Sequence, residues 1–285
     1  MTVYLNHQFL PKAEARISPD DRGFLFGDGA YEVVRFYSGR LFEANPHWAR
    51  FDRSLAELRL TRPAALDYEK VCRELIARNQ MEGKDGYVYL QVTRGEAPRN
   101  HSFAEGMEAT VYGYVTELPR SPEKLKQGVR AVIHPDLRWA RCDIKSIALL
   151  ANVLAAQAAR EKGADEAILV RDDRQITEAS RSNVAIVQNG VVRTHPLTNH
   201  ILNGITRQLS VQLCERLDIP WRNEVFTLTE LMAADEVFLM GTTVEVMPVV
   251  EINGHQIACG QAGPVTRRLQ AAFEECVHQC RQRPQ

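Results

Sequence analysis

Residues 137–155 read LRWARCDIKSIALLANVLA and contain the most informative lysine of the chain. Lys145 has an isoleucine on either side within two residues, and the apolar, alanine-rich sequence that follows predicts a largely buried helix over 147–159 that Lys145 opens. Burial disfavours the charged form of a lysine and lowers its pKa. A neutral lysine amine forms Schiff bases with aldehydes. The alternative is an ordinary lysine at a helix start, whose stem packs on apolar groups while its ammonium reaches water.

Lysine is scarce in this chain, which narrows the choice of a catalytic amine. Of the 35 basic residues, seven are lysines, at positions 12, 70, 84, 124, 126, 145 and 162. The other six lie in polar, turn-like or solvated-helix sequence. Lys145 is therefore the candidate for chemistry that requires an amine.

The bulk composition indicates an ordinary globular protein. The chain has 285 residues, of which 45% are hydrophobic and 25% charged, with a formal net charge of −1. This balance argues against a nucleic-acid-binding protein, which usually carries a basic face. No apolar run approaches the roughly 20 residues of a membrane helix, and the N-terminus lacks the regions of a signal peptide. We expect a cytoplasmic protein with six reduced cysteines; a zinc site or disulfides are the alternatives.

The pattern along the chain predicts two α/β domains. Strand-like and helical stretches alternate on both sides of residues 118–128, where two prolines, a glycine and several charged residues indicate a linker. We expect an N-terminal α/β domain over 1–117 and a C-terminal α/β domain over 129–285 that carries Lys145. The chain contains no internal repeat.

A second polar stretch, TEASRSN at 177–183, offers a carboxylate. A pyridine-type cofactor requires an acidic group against its ring nitrogen, because that group keeps the ring protonated and able to accept electrons. Glu178 is the candidate for this role. An ordinary carboxylate in a turn is the alternative.

Two loops have the composition of anion-binding sites. In LNGITR at 202–207, Gly204 precedes a helical pattern, and the free N–H groups and dipole of a helix N-terminus suit a phosphate. The sequence Gly241-Thr242-Thr243 follows a predicted strand and offers hydroxyl donors. Each loop taken alone also fits an ordinary turn.

Two further stretches offer groups that would contact a substrate. The glycines of DRGFLFGDGAYE at 21–32 match neither a dinucleotide fingerprint nor a P-loop, and predict a tightly shaped loop that delivers Tyr31 at a strand start. Arg99 and His101 stand two residues apart, on the same side of an extended loop. An arginine offers a fork of donors for a carboxylate. Solvated surface side chains are the alternative interpretation of this pair.

Taken in their order along the chain, these stretches closely resemble the fold-type IV pyridoxal-phosphate enzymes. This group includes D-amino acid aminotransferases, branched-chain aminotransferases and aminodeoxychorismate lyases. The resemblance covers nearly the whole chain, through DRGFLFGDGAYEV, TRG, RWARCDIKS, TEASRSN, LNGITR and GTT. Within the group, Tyr31, the sequence Arg99-Asn-His101 and the stretch 137–155 are most similar to the D-amino acid (D-alanine) aminotransferases. The resemblance implies a two-domain α/β (α+β) fold and pyridoxal 5'-phosphate as cofactor, with no metal.

The resemblance also implies a role for each cofactor-binding position. Lys145 holds the cofactor as a Schiff base and then shuttles the proton between the substrate Cα and the cofactor. Glu178 pairs with the pyridine nitrogen. Contacts to the phosphate or the ring face are implied for Arg50, Leu202, Ile205, Thr206 and Thr242.

The substrate side is implied in the same way. Tyr31, Arg99 and His101 bind the substrate α-carboxylate, with Arg99 and His101 reaching in from the other subunit of a homodimer with shared active sites. The partners are then small amino and keto acids, with no nucleic acid and no membrane. The implied reaction is transfer of the amino group from D-alanine to 2-oxoglutarate, giving pyruvate and D-glutamate.

Three positions depart from the pattern of the family. Arg181 stands where a small residue is usual, and would either favour acidic substrates or point outward. Gly241 replaces a hydroxyl residue beside the phosphate loop, and Ala185 replaces an aromatic residue. Arg181 and Gly241 affect the expected substrate range more than the expected reaction.

Two other classes of function remain as alternatives. One is a different fold-type IV activity, such as a branched-chain aminotransferase, an amine transaminase or aminodeoxychorismate lyase, against which the Arg99 and His101 pair argues. The other is a non-catalytic α/β binding protein with a degenerate site, which is disfavoured because every expected catalytic position is filled. The chain lacks the GxSxG elbow of α/β hydrolases.

Overall fold

The computed structural model describes residues 1–171 and 174–282, which form two compact units, each built on one β-sheet. The first unit comprises residues 1–120, 144–148 and those described from 279 onward. The second comprises 121–143 and 149–278. The mixed α/β architecture agrees with the fold class expected from the sequence.

The first unit contains a six-stranded antiparallel sheet in the order β2-β1-β6-β5-β3-β4. Its strands are β1 Thr2–Leu5, β2 Gln8–Pro11, β3 Gly29–Tyr37, β4 Arg40–Leu41, β5 Gly86–Thr93 and β6 Thr110–Glu117. Its helices are α1 Arg22–Phe26, α2 Ala44–Glu57 and α3 Tyr68–Arg78.

Period-two alternation gives this sheet two different faces. Val88, Leu90 and Val92 of β5 point into the core that α2 and α3 cover. The opposite face of β5 and β6 carries half-buried tyrosines, at positions 87, 89, 112 and 114. The core therefore lies on one side of the sheet, and an aromatic surface on the other.

The second unit contains a nine-stranded mixed sheet with the path β12-β11-β10-β13-β14-β7-β8-β9, and β15 pairs with β14. Its strands are β7 Val129–Pro135, β8 Glu166–Val170, β9 Ile176–Ala179, β10 Asn183–Gln188, β11 Val191–Thr194, β12 Trp221–Asn223, β13 Glu236–Gly241, β14 Glu245–Ile252 and β15 His255–Gln256. Its helices are α4 Pro122–Gln127, α5 Leu150–Glu161, α6 Ile205–Arg216, α7 Leu228–Met232 and α8 Pro264–Gln282, whose last residues cluster with the first unit.

The segment that contains Lys145 differs from its expected place. The second domain was expected to carry it, but residues 144–148 cluster with the first unit. The reason is backbone pairing: the Tyr31 N–H donates to the Lys145 carbonyl at 3.0 Å, and the Ile147 N–H donates to the Gly29 carbonyl at 3.0 Å. Residues 118–128, expected to be a linker, instead contain the helix α4, and the boundary between the two units falls after residue 120.

The helix expected over 147–159 begins three residues later, and Lys145 does not open it. α5 starts at Leu150, and its N-cap Leu149 makes no side-chain hydrogen bond. The helix is also less buried than its composition indicates, because Leu150, Val153 and Leu154 are 73%, 58% and 55% exposed. Apolar periodicity identified the helix but did not show which apolar residues face the core.

Candidate active site

Lys145 lies in the first unit, beside the start of β3, and the Ser146 N–H donates to the Ile144 carbonyl across it at 2.8 Å. Its N–H donates to the Ser54 hydroxyl at 3.2 Å, and its carbonyl accepts from Tyr31, so α2 and β3 both fix its backbone. The side chain is half-buried, and its Nζ lies 4.3 Å from the centre of the Tyr31 ring. The two residues expected to act on the substrate amine and carboxylate are therefore adjacent.

Tyr31 belongs to the aromatic face of the first sheet. Its ring stacks on Tyr89 with centroids 5.5 Å apart, and Tyr89 stacks on Tyr114 at 5.0 Å. Burial, helped by the neighbouring Tyr87, raises the pKa of Tyr114 to about 12. Tyr114 therefore stays a neutral phenol, and the tyrosines of this face combine apolar rings with polar tips.

Arg50, expected at the phosphate, is oriented by a buried carboxylate. Its Nε donates to Glu32 Oε2 at 2.9 Å and its Nη2 to Glu32 Oε1 at 2.6 Å. His47 Nδ1 lies 2.9 Å from the same Oε1. Burial alone raises the pKa of Glu32, but Arg50 and His47 outweigh burial and hold it below its usual range. Sequence reasoning missed this role of Glu32, which follows Tyr31 and points to the other face of β3.

We expect Glu32→Gln to destabilise the protein most at neutral pH. The folded-state pKa of Glu32 is lowered, so its ionised form stabilises the fold above the unfolded pKa of about 4.3, and that contribution is lost as pH falls through the folded pKa. Breaking a buried ion pair costs about 3–5 kcal/mol. Urea unfolding from pH 7 down to pH 3 measures the difference from the unsubstituted protein. A difference that stays constant below pH 4 contradicts the prediction.

Arg99 and His101 lie together in the exposed loop between β5 and β6, residues 94–109. The Arg99 guanidinium carbon lies 5.2 Å from the centre of the Phe26 ring, and the His101 ring centroid lies 5.6 Å from it. Tyr31, by contrast, contacts Tyr89 and Lys145. The three expected carboxylate-binding side chains thus make their contacts at two places in the first unit.

Glu178 is a strand residue of β9 in the second unit. One of its carboxylate oxygens accepts from the Arg138 guanidinium; the other accepts from Asn183 Nδ2 at 3.0 Å and from the Leu202 N–H at 3.1 Å. Burial raises the pKa of Glu178, while Arg138 and the Leu202 N–H oppose the rise. The interpretation as a turn carboxylate is wrong, since β9 and three donors fix this side chain.

Arg138, which binds Glu178, also binds a second buried carboxylate, that of Asp136. Its Nε and Nη2 donate to the two oxygens of Asp136, each at 2.8 Å, and Nη2 also donates to the His200 carbonyl at 3.0 Å. Burial disfavours its charged form, but Glu178 and Asp136 outweigh burial and raise its pKa. Nothing in the stretch RWARCDIKS, which Arg138 opens, indicated this role.

The expected phosphate site coincides with the start of α6. Gly204 is the N-cap, and Ile205 and Thr206 are the first helical residues, so their N–H groups have no carbonyl of the preceding turn to bind. A Cβ on Gly204 would lie 2.1 Å from Asn183 Oδ1, the side chain that also donates to Glu178. This crowding brings the helix start close to the carboxylate, and the geometry fits a pyridine ring bearing a phosphate arm.

Gly204→Ala is expected to weaken pyridoxal-phosphate binding by about tenfold, because its Cβ displaces either Asn183 or the first N–H groups of α6. Overpacking of this kind costs about 1–3 kcal/mol, and 1.4 kcal/mol is a factor of ten. Gln212→Ala is the control, because Gln212 is an exposed residue of the same helix and lies away from its first turn. Spectroscopic titration of the apoprotein gives both affinities. Equal affinities of the two variants would contradict the steric argument.

The remaining expected positions lie nearby in the second unit. Thr242 occupies the turn between β13 and β14, directly after Gly241. Leu202, expected against the ring face, is held by hydrogen bonds of its N–H to Glu178 and of its carbonyl to Asn183. The Arg181 guanidinium pairs with Glu166 at 3.4 Å and donates to the Asp165 carbonyl. The Arg181 side chain is 62% exposed, so of the two orientations expected for it the structure has the outward one.

The mixed α/β fold, with Lys145 in the first unit and Glu178 in the second, is typical of an aminotransferase of class IV. The family model described as amino-transferase class IV matches residues 29–252, and the chain belongs to this family. The fold-type IV assignment made from the sequence is thereby confirmed.

The chain is 42% identical over 277 residues to the D-alanine aminotransferase of Staphylococcus haemolyticus, covering 96% of this chain and 97% of the relative. It is 41% identical over 278 residues to the D-alanine aminotransferase of Bacillus licheniformis, covering 97% of each. A solved branched-chain aminotransferase from the archaeon Thermoproteus uzoniensis, with norvaline, superposes with a TM-score of 0.86. It is 27% identical and covers 99% of this chain and 96% of that one.

Proposed function

We propose that this chain is a pyridoxal-phosphate transaminase that moves the amino group of D-alanine, or a similar small D-amino acid, to 2-oxoglutarate, giving pyruvate and D-glutamate. The observation that carries the proposal is 42% identity to a D-alanine aminotransferase across 96% of the chain. Identity to the solved branched-chain aminotransferase is 27%. The Arg99-x-His101 pair supports the same choice, because it offers two donors for a carboxylate.

Pyridoxal 5'-phosphate, when bound, supplies an aldehyde for the substrate amine and a ring that accepts electrons. Lys145 would hold the cofactor through its amine and would move the proton at the substrate Cα. Glu178 would face the pyridine nitrogen and keep it protonated. The N–H groups of Ile205 and Thr206 would donate to the phosphate.

Three further residues complete the cofactor site in this proposal. Thr242 donates its hydroxyl to the phosphate, and Arg50, oriented by Glu32, adds a positive charge. Leu202 covers one face of the ring. Its backbone is suited to this, since both its N–H and its carbonyl are fixed.

Substrate recognition rests on Tyr31, Arg99 and His101. They bind the α-carboxylate and thereby direct the Cα–H toward Lys145, which determines the enantiomer that reacts. The Lys145 Nζ lies 4.3 Å from the centre of the Tyr31 ring, which supports this geometry.

We infer that the working form is a cytoplasmic homodimer in which Arg99 and His101 serve the site of the partner subunit. Two observations support this. The contacts of Tyr31 and those of the Arg99 and His101 pair lie at different places on the first unit. The tyrosine face of the first sheet is also the kind of aromatic surface that protein interfaces use. Within residues 1–171 and 174–282, the structure contains no helix with the length and apolar character needed to cross a bilayer.

A half-reaction on the holoenzyme tests the proposal. D-Alanine, L-leucine and 1-phenylethylamine are added separately, without a keto acid, and the loss of the visible absorbance of the bound cofactor is followed. We expect a fast response to D-alanine alone. A response to L-leucine but not D-alanine would indicate a branched-chain aminotransferase, and a response to the amine alone an amine transaminase. A colourless protein that takes up no pyridoxal phosphate would indicate a non-catalytic binding protein.

A further inference from the structure

The loop that carries Arg99 and His101 lies at the surface, yet its backbone is anchored to a buried arginine. Residues 98–106 are exposed and contain neither helix nor strand. Arg22, at the start of α1, is only 4% exposed. Its guanidinium donates to the carbonyls of Asn100 and His101, in the second case at 3.1 Å. These two bonds fix the backbone between the two carboxylate-binding side chains.

The side chains themselves share one aromatic platform. Arg99 and His101 pack on the ring of Phe26, at 5.2 and 5.6 Å from its centre, and the Arg22 guanidinium carbon lies 4.8 Å from the same centre. A cation beside an aromatic ring is attracted by its electron-rich face. Phe26 therefore contacts Arg99, His101 and also Arg22, the arginine that holds their backbone.

The Asp28 carboxylate holds Arg22 in place. Asp28 accepts from the Nε of Arg22 at 2.9 Å and from Arg94 at 2.8 and 3.0 Å. Arg94 in turn lies 3.9 Å from the centre of the Phe103 ring, farther along the same loop. Burial alone raises the pKa of Asp28, but the two arginines outweigh burial and lower it. The Asp28 carboxylate thus stays charged and holds both arginines at neutral pH.

The position of Phe26 is fixed by the backbone around it. It is the last residue of α1, and Gly27 follows with a φ of 67°, a conformation that favours glycine. A Cβ at Gly27 would also lie 3.3 Å from the Cβ of Ala148. Asp21 caps the other end of α1 by accepting from the Gly23 N–H at 2.8 Å. The ring is therefore placed by a rigid turn.

We propose that Phe26 and Arg22 are positioning residues that preorganise Arg99 and His101 for the substrate carboxylate. The inference rests on the carboxylate-binding role proposed for that pair. Side chains in an exposed loop, a long arginine above all, lose rotamer freedom when they bind a ligand. Packing on Phe26, with the backbone held by Arg22, removes part of that loss before the substrate arrives. The DRGFLFGDG segment thus acts in substrate recognition as well as in placing Tyr31.

The test is a set of Phe26 variants in the holoenzyme. Phe26→Leu keeps an apolar side chain without the ring, and is expected to raise KM for D-alanine about fivefold to tenfold, with kcat changed less than about twofold. Phe26→Tyr restores the ring and should restore KM. Phe24→Leu is the matched control, because Phe24 lies on the same short helix and is 76% exposed. Affinity for pyridoxal phosphate should be equal in all of them, which a general loss of structure would not allow.

A double-mutant cycle separates this inference from the proposed function. If Phe26 acts through Arg99 and His101, Phe26→Leu should raise KM little further in the double variant Arg99→Ala, His101→Ala. Faster hydrogen exchange at the amides of residues 100–103 in Arg22→Lys would independently support the backbone anchor. If Arg99→Ala leaves KM unchanged, the carboxylate-binding proposal itself fails. If Arg99→Ala raises KM and Phe26→Leu does not, or if the two effects are additive, the positioning role alone is overturned.

Discussion

Lys145→Ala should lower kcat for transamination of D-alanine by about 10³-fold or more, while the protein still binds pyridoxal phosphate. Removing a positioned group that transfers a proton costs about 10²–10⁴-fold in rate, and the attachment of the cofactor is lost as well. Binding should survive because the phosphate contacts proposed for α6 and the role proposed for the Glu178 carboxylate lie on other segments of the chain. Single-turnover kinetics with excess D-alanine measure the step that Lys145 performs.

Two controls make this result specific to the amine of Lys145. Lys162→Ala removes an exposed lysine that follows α5, and should leave kcat within about twofold of the unsubstituted enzyme, as surface substitutions usually do. A small amine such as methylamine, added to Lys145→Ala, should restore part of the proton transfer. A Lys145→Ala enzyme with more than about a tenth of the original kcat would show that another group moves the proton.

The sequence indicated candidate site residues but little of what surrounds them. Lys145 was identified by its apolar neighbours and by the scarcity of lysine, but the expectation that it opens a helix is wrong. The segment 144–148 instead pairs with β3, through hydrogen bonds that join residues more than a hundred positions apart in the chain. Periodicity within a short window carries no information about pairing at that separation.

The residues that sequence reasoning missed have the same character. Arg138 binds Glu178 forty positions away, and Arg22 binds the carbonyl of His101 seventy-nine positions away. In the sequence, Phe26 is an ordinary apolar residue of a glycine-rich stretch. Only the fold shows that it lies against the guanidinium groups of Arg22 and Arg99. Motifs can locate groups that contact a ligand, whereas the groups that orient them are defined by tertiary contacts.

Arg138→Met should lower the free energy of unfolding of the holoenzyme by about 3–5 kcal/mol at pH 7, the typical cost of leaving a buried charge without its partner. Arg138 and Asp136 have side chains that are 6% and 0% exposed, and Arg138 bridges Asp136 to Glu178. Without the guanidinium, the buried carboxylates of Asp136 and Glu178 repel each other, and Arg171, 3.3 Å from Asp136, offsets only part of that repulsion. The pKa of Glu178, already raised by burial, should rise further. Affinity for pyridoxal phosphate should fall, because Glu178 loses the donor that orients it.

Arg141→Met is the matched control for that loss of stability. Arg141 also pairs with an aspartate, at 2.9 Å from Asp143, but its side chain is 35% exposed. Exposed ion pairs contribute about 1 kcal/mol or less, so this variant should unfold near the unsubstituted protein. Arg138→Lys should fall between the two, because an ammonium keeps the charge but cannot bind both carboxylates with a planar fork. Urea unfolding at one fixed protein concentration compares the three variants. Equal destabilisation by Arg138→Met and Arg141→Met would show that burial of the Arg138 network contributes no additional stability.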